Sequence, residues 1–350
     1  MNSGEKQLVV GSDGETSDDP TSAAERQAKG EFVRGVSTAR NWITRDGAYP
    51  PERDRYHLYV AYNCPWCHRV LLGRAILGLE DIISVDVVFP NRSGDDELLG
   101  PNLWKFQPEG QVGSNGKHTI FDSCTVDNVN GKKYIIEIYE LAGITDQKSV
   151  PILFDKKTKT VVSNESAEIL RMFGTSMRGL GTHSSSIDLY PATLRLQIDE
   201  INDWVYKEIA NGAYKAGFSS TQAAYEAAYE NFFEAIDKTE KILARRKFLA
   251  GDSLTEADVL LFPVVFRFDP VYYSRFKLNK KCMWEYCNIW KWMERMMALK
   301  GMEPVSNKEY LAHCKQGYFG RTGNGTVPIG PDGYPDCYKK PHWTHTMVEK

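Results

Sequence analysis

Two cysteines separated by two residues form the part of this chain that is best suited to chemistry. Cys64 and Cys67 enclose Pro65 and Trp66, and they follow residues 56–63, whose alternating apolar side chains predict a β-strand. Pro65 is favoured in the first turn of a helix, so Cys64 is expected to lie at a helix N-terminus. The unpaired backbone N–H groups and the positive end of the helix dipole stabilise a thiolate there and lower its pKa. The first hypothesis is therefore thiol chemistry, with Cys64 as the nucleophile.

Cys67 can be interpreted in two ways. In one interpretation it is a small core residue on the inner face of the helix. In the other it is a resolving thiol that pairs with Cys64 in glutaredoxin-like dithiol chemistry. Zinc would need a second Cys-x-x-Cys pair, which the sequence does not contain, so no metal site is expected.

The composition is that of an ordinary globular protein with two domains. The 350 residues are enough for two sizeable cores, and a net charge of -3 argues against a nucleic-acid partner. The seven cysteines are odd in number and scattered, which favours a reducing compartment and a cytoplasmic enzyme. Residues 1–30 are polar and lack the apolar stretch of a signal peptide, so we expect a disordered tail. No apolar run is long enough to predict a membrane span.

The first half of the chain predicts an α/β domain. The expected elements are a strand at 57–62, a helix at 65–78, a strand at 83–89, a helix at 131–142, a hairpin at 150–155 and 160–163, and a helix from 164 to 172. This order is the thioredoxin arrangement, in which the peptide bond before Pro151 is expected to be cis. We assign residues 31–180 to this domain.

The second half predicts an all-helical domain over residues 181–330. Long helices are expected at 190–210, 219–246, 255–269 and 284–299. Thr255 and Asp258 form a capping signature at the start of the third of these helices. The chain becomes rich in Gly and Pro after residue 301, and residues 331–350 are expected to form an extended tail.

Six short motifs between residues 64 and 331 indicate to which protein family the chain is similar. They are Cys64-Pro65-Trp66-x-His68-Arg69, Val150-Pro151-Ile152-Leu153, Asn164-Glu165-Ser166, Asn211-Gly212-x-Tyr214-Lys215-Ala216-Gly217-Phe218, Arg267-Phe268-Asp269-x-Val271-Tyr272 and Gly325-x-Val327-Pro328-x-Gly330-Pro331. Together they resemble the glutathionyl-hydroquinone reductases, also called Xi-class or omega-like glutathione transferases. The resemblance implies a thioredoxin-like N-terminal domain, an all-α glutathione-transferase C-terminal domain, glutathione as co-substrate and a homodimer.

The resemblance also implies a set of glutathione-binding residues. Glu165 and Ser166 would receive the ammonium and the carboxylate of the γ-glutamyl group at a helix N-terminus. Val150, before Pro151, would offer its backbone to the cysteinyl part of the tripeptide. The indole of Trp104 would pack over glutathione. Lys148 stands where the family tends to have an arginine, and its point charge would replace a bidentate contact to a carboxylate. Residues 107–130 are longer and more polar than the corresponding family segment.

On the substrate side, the resemblance assigns catalytic roles to two tyrosines. The phenol of Tyr214 would hydrogen-bond the hydroquinone oxygen or the developing phenolate, and Tyr318 would assist it. The expected reaction is the removal of glutathione from aromatic quinol conjugates through a Cys64–glutathione mixed disulfide. Two alternatives remain open. One is a glutaredoxin-like or dehydroascorbate-reducing thiol transferase that uses Cys64 and Cys67, and the other is a non-catalytic binding module.

Overall fold

The computed structural model describes residues 20–92, 102–113, 115–183, 186–321 and 325–339. The strands are β1 (Tyr56–Val60), β2 (Ser84–Val87), β3 (Gln111–Val112), β4 (His118–Thr119), β5 (Ile152–Asp155) and β6 (Thr160–Ser163). The helices are α1 (Pro20–Ala28), α2 (Pro65–Ile76), α3 (Ile135–Leu141), α4 (Ser166–Gly174), α5 (Arg195–Trp204), α6 (Asn211–Phe218), α7 (Gln222–Leu243), α8 (Glu256–Arg267), α9 (Tyr273–Arg275), α10 (Cys287–Met297) and α11 (Lys308–Phe319). Single π-helical turns at Val205–Ala210 and Phe268–Tyr272 join α5 to α6 and α8 to α9.

A four-stranded mixed sheet with the order β2-β1-β5-β6 forms the centre of the N-terminal region. Strand β1 is parallel to β2 and antiparallel to β5, and β6 pairs antiparallel with β5. All five residues of β1 are buried because helices and loops cover both faces of this central strand. The predicted βαβ unit, the hairpin and the thioredoxin-like fold class are therefore confirmed. The Val150–Pro151 peptide bond is cis, as expected.

The polar segment 107–130 is attached to this sheet by two buried carboxylates. Asp86 of β2 accepts hydrogen bonds from the backbone N and the side-chain Nδ2 of Asn128 at 2.7 and 2.6 Å. Asp127 accepts one from the hydroxyl of Tyr59 in β1 at 2.9 Å and organises the loop that follows it. Paired in this way, the buried carboxylates fix the position of a segment that has little apolar surface of its own.

The predicted cap of α8 is present in the helical region. The Asp258 carboxylate accepts from the backbone N–H of Thr255 at 3.1 Å, and the Thr255 hydroxyl closes the capping box. The same carboxylate accepts from the indole N–H of Trp292 in α10 at 2.9 Å. This cap therefore also joins two helices in the core of the helical region.

Buried polar side chains connect the two regions. Arg267, at the end of α8, donates from Nη1 to the carbonyl of Asn63 and from Nη2 to Nδ1 of His68, both at 2.9 Å. The other ring nitrogen of His68 donates to the carbonyl of Val305 at 2.7 Å. Burial, followed by the Arg267 charge, lowers the pKa of His68 well below its usual value. His68 is therefore a neutral structural residue, and its ring links α2 to the helical region.

The structure differs from the sequence-based expectations at both ends of the chain. Within the expected disordered tail, residues 1–19 lie outside the described residues, but Pro20–Ala28 is a helix. Helix α11 was not expected, because the Gly- and Pro-rich composition after residue 301 concealed it. The expected extended tail is described only up to residue 339, and there it packs back on the protein: the Tyr334 hydroxyl donates to Asp269 at 2.6 Å, and Tyr338 is buried. The domain boundary near residue 180 stays a prediction.

None of the described helices combines the length and the apolar character needed to cross a lipid bilayer.

Candidate active site

The thiol of Cys64 lies where β1 ends and α2 begins. Cys64 is the N-cap residue of α2, Pro65 occupies the first helical position, and the side chain is only 9% exposed. Burial raises the pKa of Cys64. The opposing effects are larger in sum, because the side chain and backbone of Cys67, the Arg267 charge and the backbone N–H of Trp66 lower it to about 7. A large fraction of Cys64 is therefore thiolate at neutral pH, as the helix N-terminus predicted.

Cys67 is fully buried one turn further along α2. Its sulfur accepts a hydrogen bond from the backbone N–H of Ala61 at 3.4 Å. Burial, and then the interaction with Cys64, raise the pKa of Cys67 well above its usual value, so its thiol keeps its proton at neutral pH. The interpretations of Cys67 as a core residue and as a resolving thiol both stay predictions.

Two adjoining clefts bring together all nine residues for which a site role was expected. The smaller cleft, of about 330 Å³, is lined by Lys148, Val150, Pro151, Glu165 and Ser166. The larger cleft, of about 490 Å³, is lined by Cys64, Trp104, Val150, Tyr214 and Tyr318. Val150 belongs to both, and the Cys64 thiol lies 3.6 Å from its carbonyl oxygen. The sulfur therefore lies where the two clefts meet.

The smaller cleft is built on the N-terminus of α4. Glu165 is the N-cap residue, and its Oε1 accepts from the backbone N–H of Ala167 at 3.1 Å. Ser166 follows in the first helical turn and is buried. Burial raises the pKa of Glu165 above its usual value. The hydrogen bond from the Ala167 N–H and the nearby Arg69 charge reduce this increase but do not cancel it. Lys148 is exposed at the rim of the cleft, which suits a point charge better than a fixed contact.

Five aromatic side chains form one wall of the larger cleft: Trp66, Trp104, Tyr214, Phe218 and Tyr318. The hydroxyls of Tyr214 and Tyr318 are 2.5 Å apart, and Tyr272 lies behind them with its hydroxyl 3.4 Å from that of Tyr318. Burial raises the pKa of all three phenols, so each keeps its proton at neutral pH. Trp104 is 5% exposed, and its indole N–H has no hydrogen-bond partner within the described part of the chain. This wall offers protonated phenols and a flat surface to an aromatic ligand.

Helix α11 comes close to Cys64 because a glycine faces Asn63, in the loop before α2. A Cβ at Gly317 would lie 2.2 Å from Nδ2 of Asn63, so a larger residue here would require Asn63 or the helix to shift. The expected position of Tyr318 in the site therefore depends on the helix that sequence reasoning did not predict.

Several arginines of the site were not anticipated. Arg34 lines both clefts, donates from Nε to Oδ1 of Asn211 at 2.8 Å, and has its guanidinium carbon 4.6 Å from the Trp66 ring centroid. Arg92 also lines both clefts and lies over Trp104 at 4.8 Å. No spacing in the sequence marks Arg34 or Arg92, because each enters the site from a loop. Arg267 and Tyr272, by contrast, belong to one of the six motifs that carry the family resemblance, but the sequence predicted no role for either residue.

Among residues that the structure describes, no three His, Cys, Asp or Glu side chains gather in a way that could hold a metal ion.

Comparisons with known proteins agree with this geometry. Residues 63–176 match the family model described as glutathione S-transferase, N-terminal domain, and residues 222–295 match glutathione S-transferase, C-terminal domain. The chain is 39% identical to the glutathionyl-hydroquinone reductase YqjG of Escherichia coli, over 86% of this chain and 89% of that protein. It is 40% identical to the crystal structure of the glutathione-S-transferase Xi from Phanerochaete chrysosporium, which covers 87% of this chain and 98% of that one with a TM-score of 0.76.

A glutathione-bound structure of YqjG, 36% identical, covers 89% of this chain and 98% of its own, also with a TM-score of 0.76. The two family models match one segment of the α/β region and one of the helical region. The chain belongs to the glutathione transferase family and, within it, to the Xi-class enzymes of the glutathionyl-hydroquinone reductase type.

Proposed function

We propose that the protein removes glutathione from glutathionyl-hydroquinones and releases hydroquinones and oxidised glutathione. The observation that carries this proposal is a cysteine of lowered pKa at the junction of a peptide-sized cleft and an aromatic one. A serine or tyrosine at this position would activate glutathione for conjugation, whereas a thiolate is suited to attack a sulfur that is already bonded. Support also comes from relatives that are named glutathionyl-hydroquinone reductases.

The reaction proceeds in two steps. The Cys64 thiolate attacks the sulfur of the conjugate, the bond between sulfur and ring carbon breaks, and its electron pair passes to the ring, whose carbon takes up a proton. This leaves a Cys64–glutathione mixed disulfide and a free hydroquinone. A second glutathione thiolate then attacks the mixed disulfide, which releases oxidised glutathione and restores the Cys64 thiolate. The conjugate is reduced, and two glutathione sulfurs supply the electrons.

The two clefts beside Cys64 bind different parts of the conjugate. The tripeptide lies in the smaller cleft, with its γ-glutamyl group at the N-terminus of α4, where Glu165 and Ser166 receive it, and its cysteinyl part beside the backbone of Val150. The ring enters the larger cleft against Trp104. There Tyr214 donates a hydrogen bond to a ring oxygen as negative charge develops on it, and the contact from Tyr318 orients that phenol.

The decisive experiment is intact mass spectrometry after incubation with glutathionyl-1,4-hydroquinone. The wild-type protein should gain the mass of one glutathione and release hydroquinone, whereas Cys64→Ser should do neither. Adding glutathione should restore the original mass and produce oxidised glutathione. A wild-type protein that stays unmodified beside an intact conjugate would exclude the reductase function and favour a binding module.

The position of Cys67 in the first turn of α2, which begins directly after the N-cap Cys64, supports a second candidate, a dithiol transferase of the glutaredoxin type. In that mechanism Cys67 would displace glutathione from Cys64 and form an internal disulfide. Cys67→Ser separates the two mechanisms, because turnover through a single thiol survives the change and turnover through an internal disulfide is abolished.

We further propose that the enzyme is a cytoplasmic homodimer. All seven cysteines have free thiols, which suits a reducing compartment. The dimer follows from the family resemblance, and light scattering coupled to size-exclusion chromatography tests it: a mass near that of one chain would contradict it.

A further inference from the structure

The larger cleft contains more positive charge than glutathione requires. Four arginines line it: Arg34, Arg92, Arg275 and Arg321. The first two also line the smaller cleft and lie close enough to serve the carboxylates of the tripeptide. Arg275 and Arg321 line only the aromatic side. Their charges therefore face the part of the ligand that is not glutathione.

Both ring-side guanidinium groups are held by neutral oxygens. Arg275 donates from Nε to the carbonyl of Tyr318 at 3.1 Å, and Arg321 donates from Nη1 to the side-chain amide oxygen of Asn102 at 2.9 Å. These hydrogen bonds fix the two side chains at the rim of the cleft without neutralising either charge. Each guanidinium has five N–H donors in a rigid plane, so further donors remain for a ligand.

The described lining of this cleft contains no Asp or Glu side chain. The like charges affect one another: burial lowers the pKa of Arg92, and the nearby Arg321 charge also contributes to the decrease. An anion that entered the cleft would relieve this repulsion. A carboxylate is a suitable anion, because a single guanidinium binds it through two parallel hydrogen bonds.

We propose that the preferred substrates carry an anionic substituent, such as a carboxylate, on the hydroquinone ring, and that Arg275 and Arg321 bind it. This rests on the proposed function, because the ring occupies the larger cleft only if the conjugate docks as described there. The tyrosines contact the ring oxygens, and the arginines select the substituent. Arg275 and Arg321 are thus specificity-determining residues.

The test compares two conjugates of equal size, glutathionyl-2,5-dihydroxybenzoate and glutathionyl-2,5-dihydroxybenzamide, which differ by one negative charge. The kcat/KM of the wild-type enzyme should be higher for the carboxylate by about tenfold, the effect of one charge-assisted hydrogen bond. Raising the ionic strength should reduce this ratio, because salt screens charges at a cleft rim. A ratio of one or less would overturn the proposal.

Variants assign the effect to the two arginines. Arg275→Gln and Arg321→Gln should each lower the ratio several-fold, mainly by raising the KM of the carboxylate conjugate more than that of the benzamide. Arg245→Gln removes an exposed arginine outside both clefts and should change neither substrate. Equal losses on both substrates in the cleft variants would indicate a structural role and contradict specificity.

Two further measurements make the result unambiguous. Residues 93–101 lie outside the described part of the chain and include Asp95, Asp96 and Glu97, so the triple variant D95N/D96N/E97Q is tested beside the wild type. A carboxylate preference that appears only in this variant would overturn the proposal.

Should neither conjugate be turned over, the proposed function fails. Calorimetric binding of free 2,5-dihydroxybenzoate against its amide then decides the inference alone: tighter binding of the carboxylate supports it, and equal binding refutes it.

Discussion

Removing the side chain of Cys67 should make the Cys64 thiol less acidic. With a pKa of about 7, half of the Cys64 side chains are thiolate at pH 7, compared with about 1% for a thiol at the ordinary value of 9.0. Cys67→Ala removes the S–H donor but keeps the backbone N–H groups of α2 and the charge of Arg267. A hydrogen bond to a charged acceptor contributes about 1.5–3 kcal/mol, and about 1.4 kcal/mol corresponds to one pH unit. The pKa of Cys64 should therefore rise to between about 8 and 9.

The assay is the pH dependence of iodoacetamide alkylation, read for Cys64 by peptide mass spectrometry. The midpoint of the profile is the informative quantity, because a thiolate becomes more nucleophilic as its pKa rises and the rate at one pH partly conceals the change. Cys67→Ser retains a hydroxyl donor and is the matched control, with a midpoint close to that of the wild type. An unchanged midpoint in Cys67→Ala would refute the reasoning and leave the helix N-terminus and Arg267 as the causes of the acidity.

Three further predictions concern pH, the phenols and stability. In the wild type, kcat/KM should rise with pH through the Cys64 pKa of about 7 and then level off, because the reactive form is the deprotonated one; a rate that falls over this range would contradict a thiolate nucleophile. Tyr318→Phe should lower kcat by about tenfold to a hundredfold without moving the alkylation midpoint of Cys64, and single-turnover kinetics would show an unchanged rate if the phenol were not involved. Arg171→Met should cost about 3–5 kcal/mol in urea unfolding, because it leaves the buried carboxylate of Glu256 without its positively charged partner. A loss as small as the ~1 kcal/mol expected for the exposed-pair control Arg178→Met would argue against that ion pair.

The positions of Cys64 and of the N-terminus of α4 could be predicted from local patterns, whereas the binding roles around them came from the family resemblance. A strand that ends at Val60 and a proline at the first helical position define a helix N-terminus in a few consecutive residues, and the Glu165-Ser166 pair does the same for α4. Each of these patterns spans only a few consecutive residues, and the structure contains the helix N-terminus that each one predicts. The Thr255–Asp258 capping box belongs to the same class.

The rest of the site is assembled by long-range contacts that no local pattern reveals. Arg34 enters from a loop before β1 and is fixed by Asn211, which is 177 residues away. Helix α11 lies in a segment whose glycines argue against a helix, yet one of them, Gly317, is required by the close approach to Asn63. A local start signal is present, because the Asn307 side chain caps α11 by accepting from the backbone N–H of Tyr310 at 2.9 Å, but the surrounding glycines and prolines concealed it.

The contact between Arg267 and the carbonyl of Asn63 has a consequence for the origin of the thiol's reactivity. The guanidinium comes from the helical half, yet it immobilises the residue just before the nucleophile and adds to the acidity of the thiol. The acidity of the Cys64 thiol is therefore not a property of the α/β half alone. Joined to a helical half without an arginine at this position, the same α/β half should have a Cys64 of higher pKa.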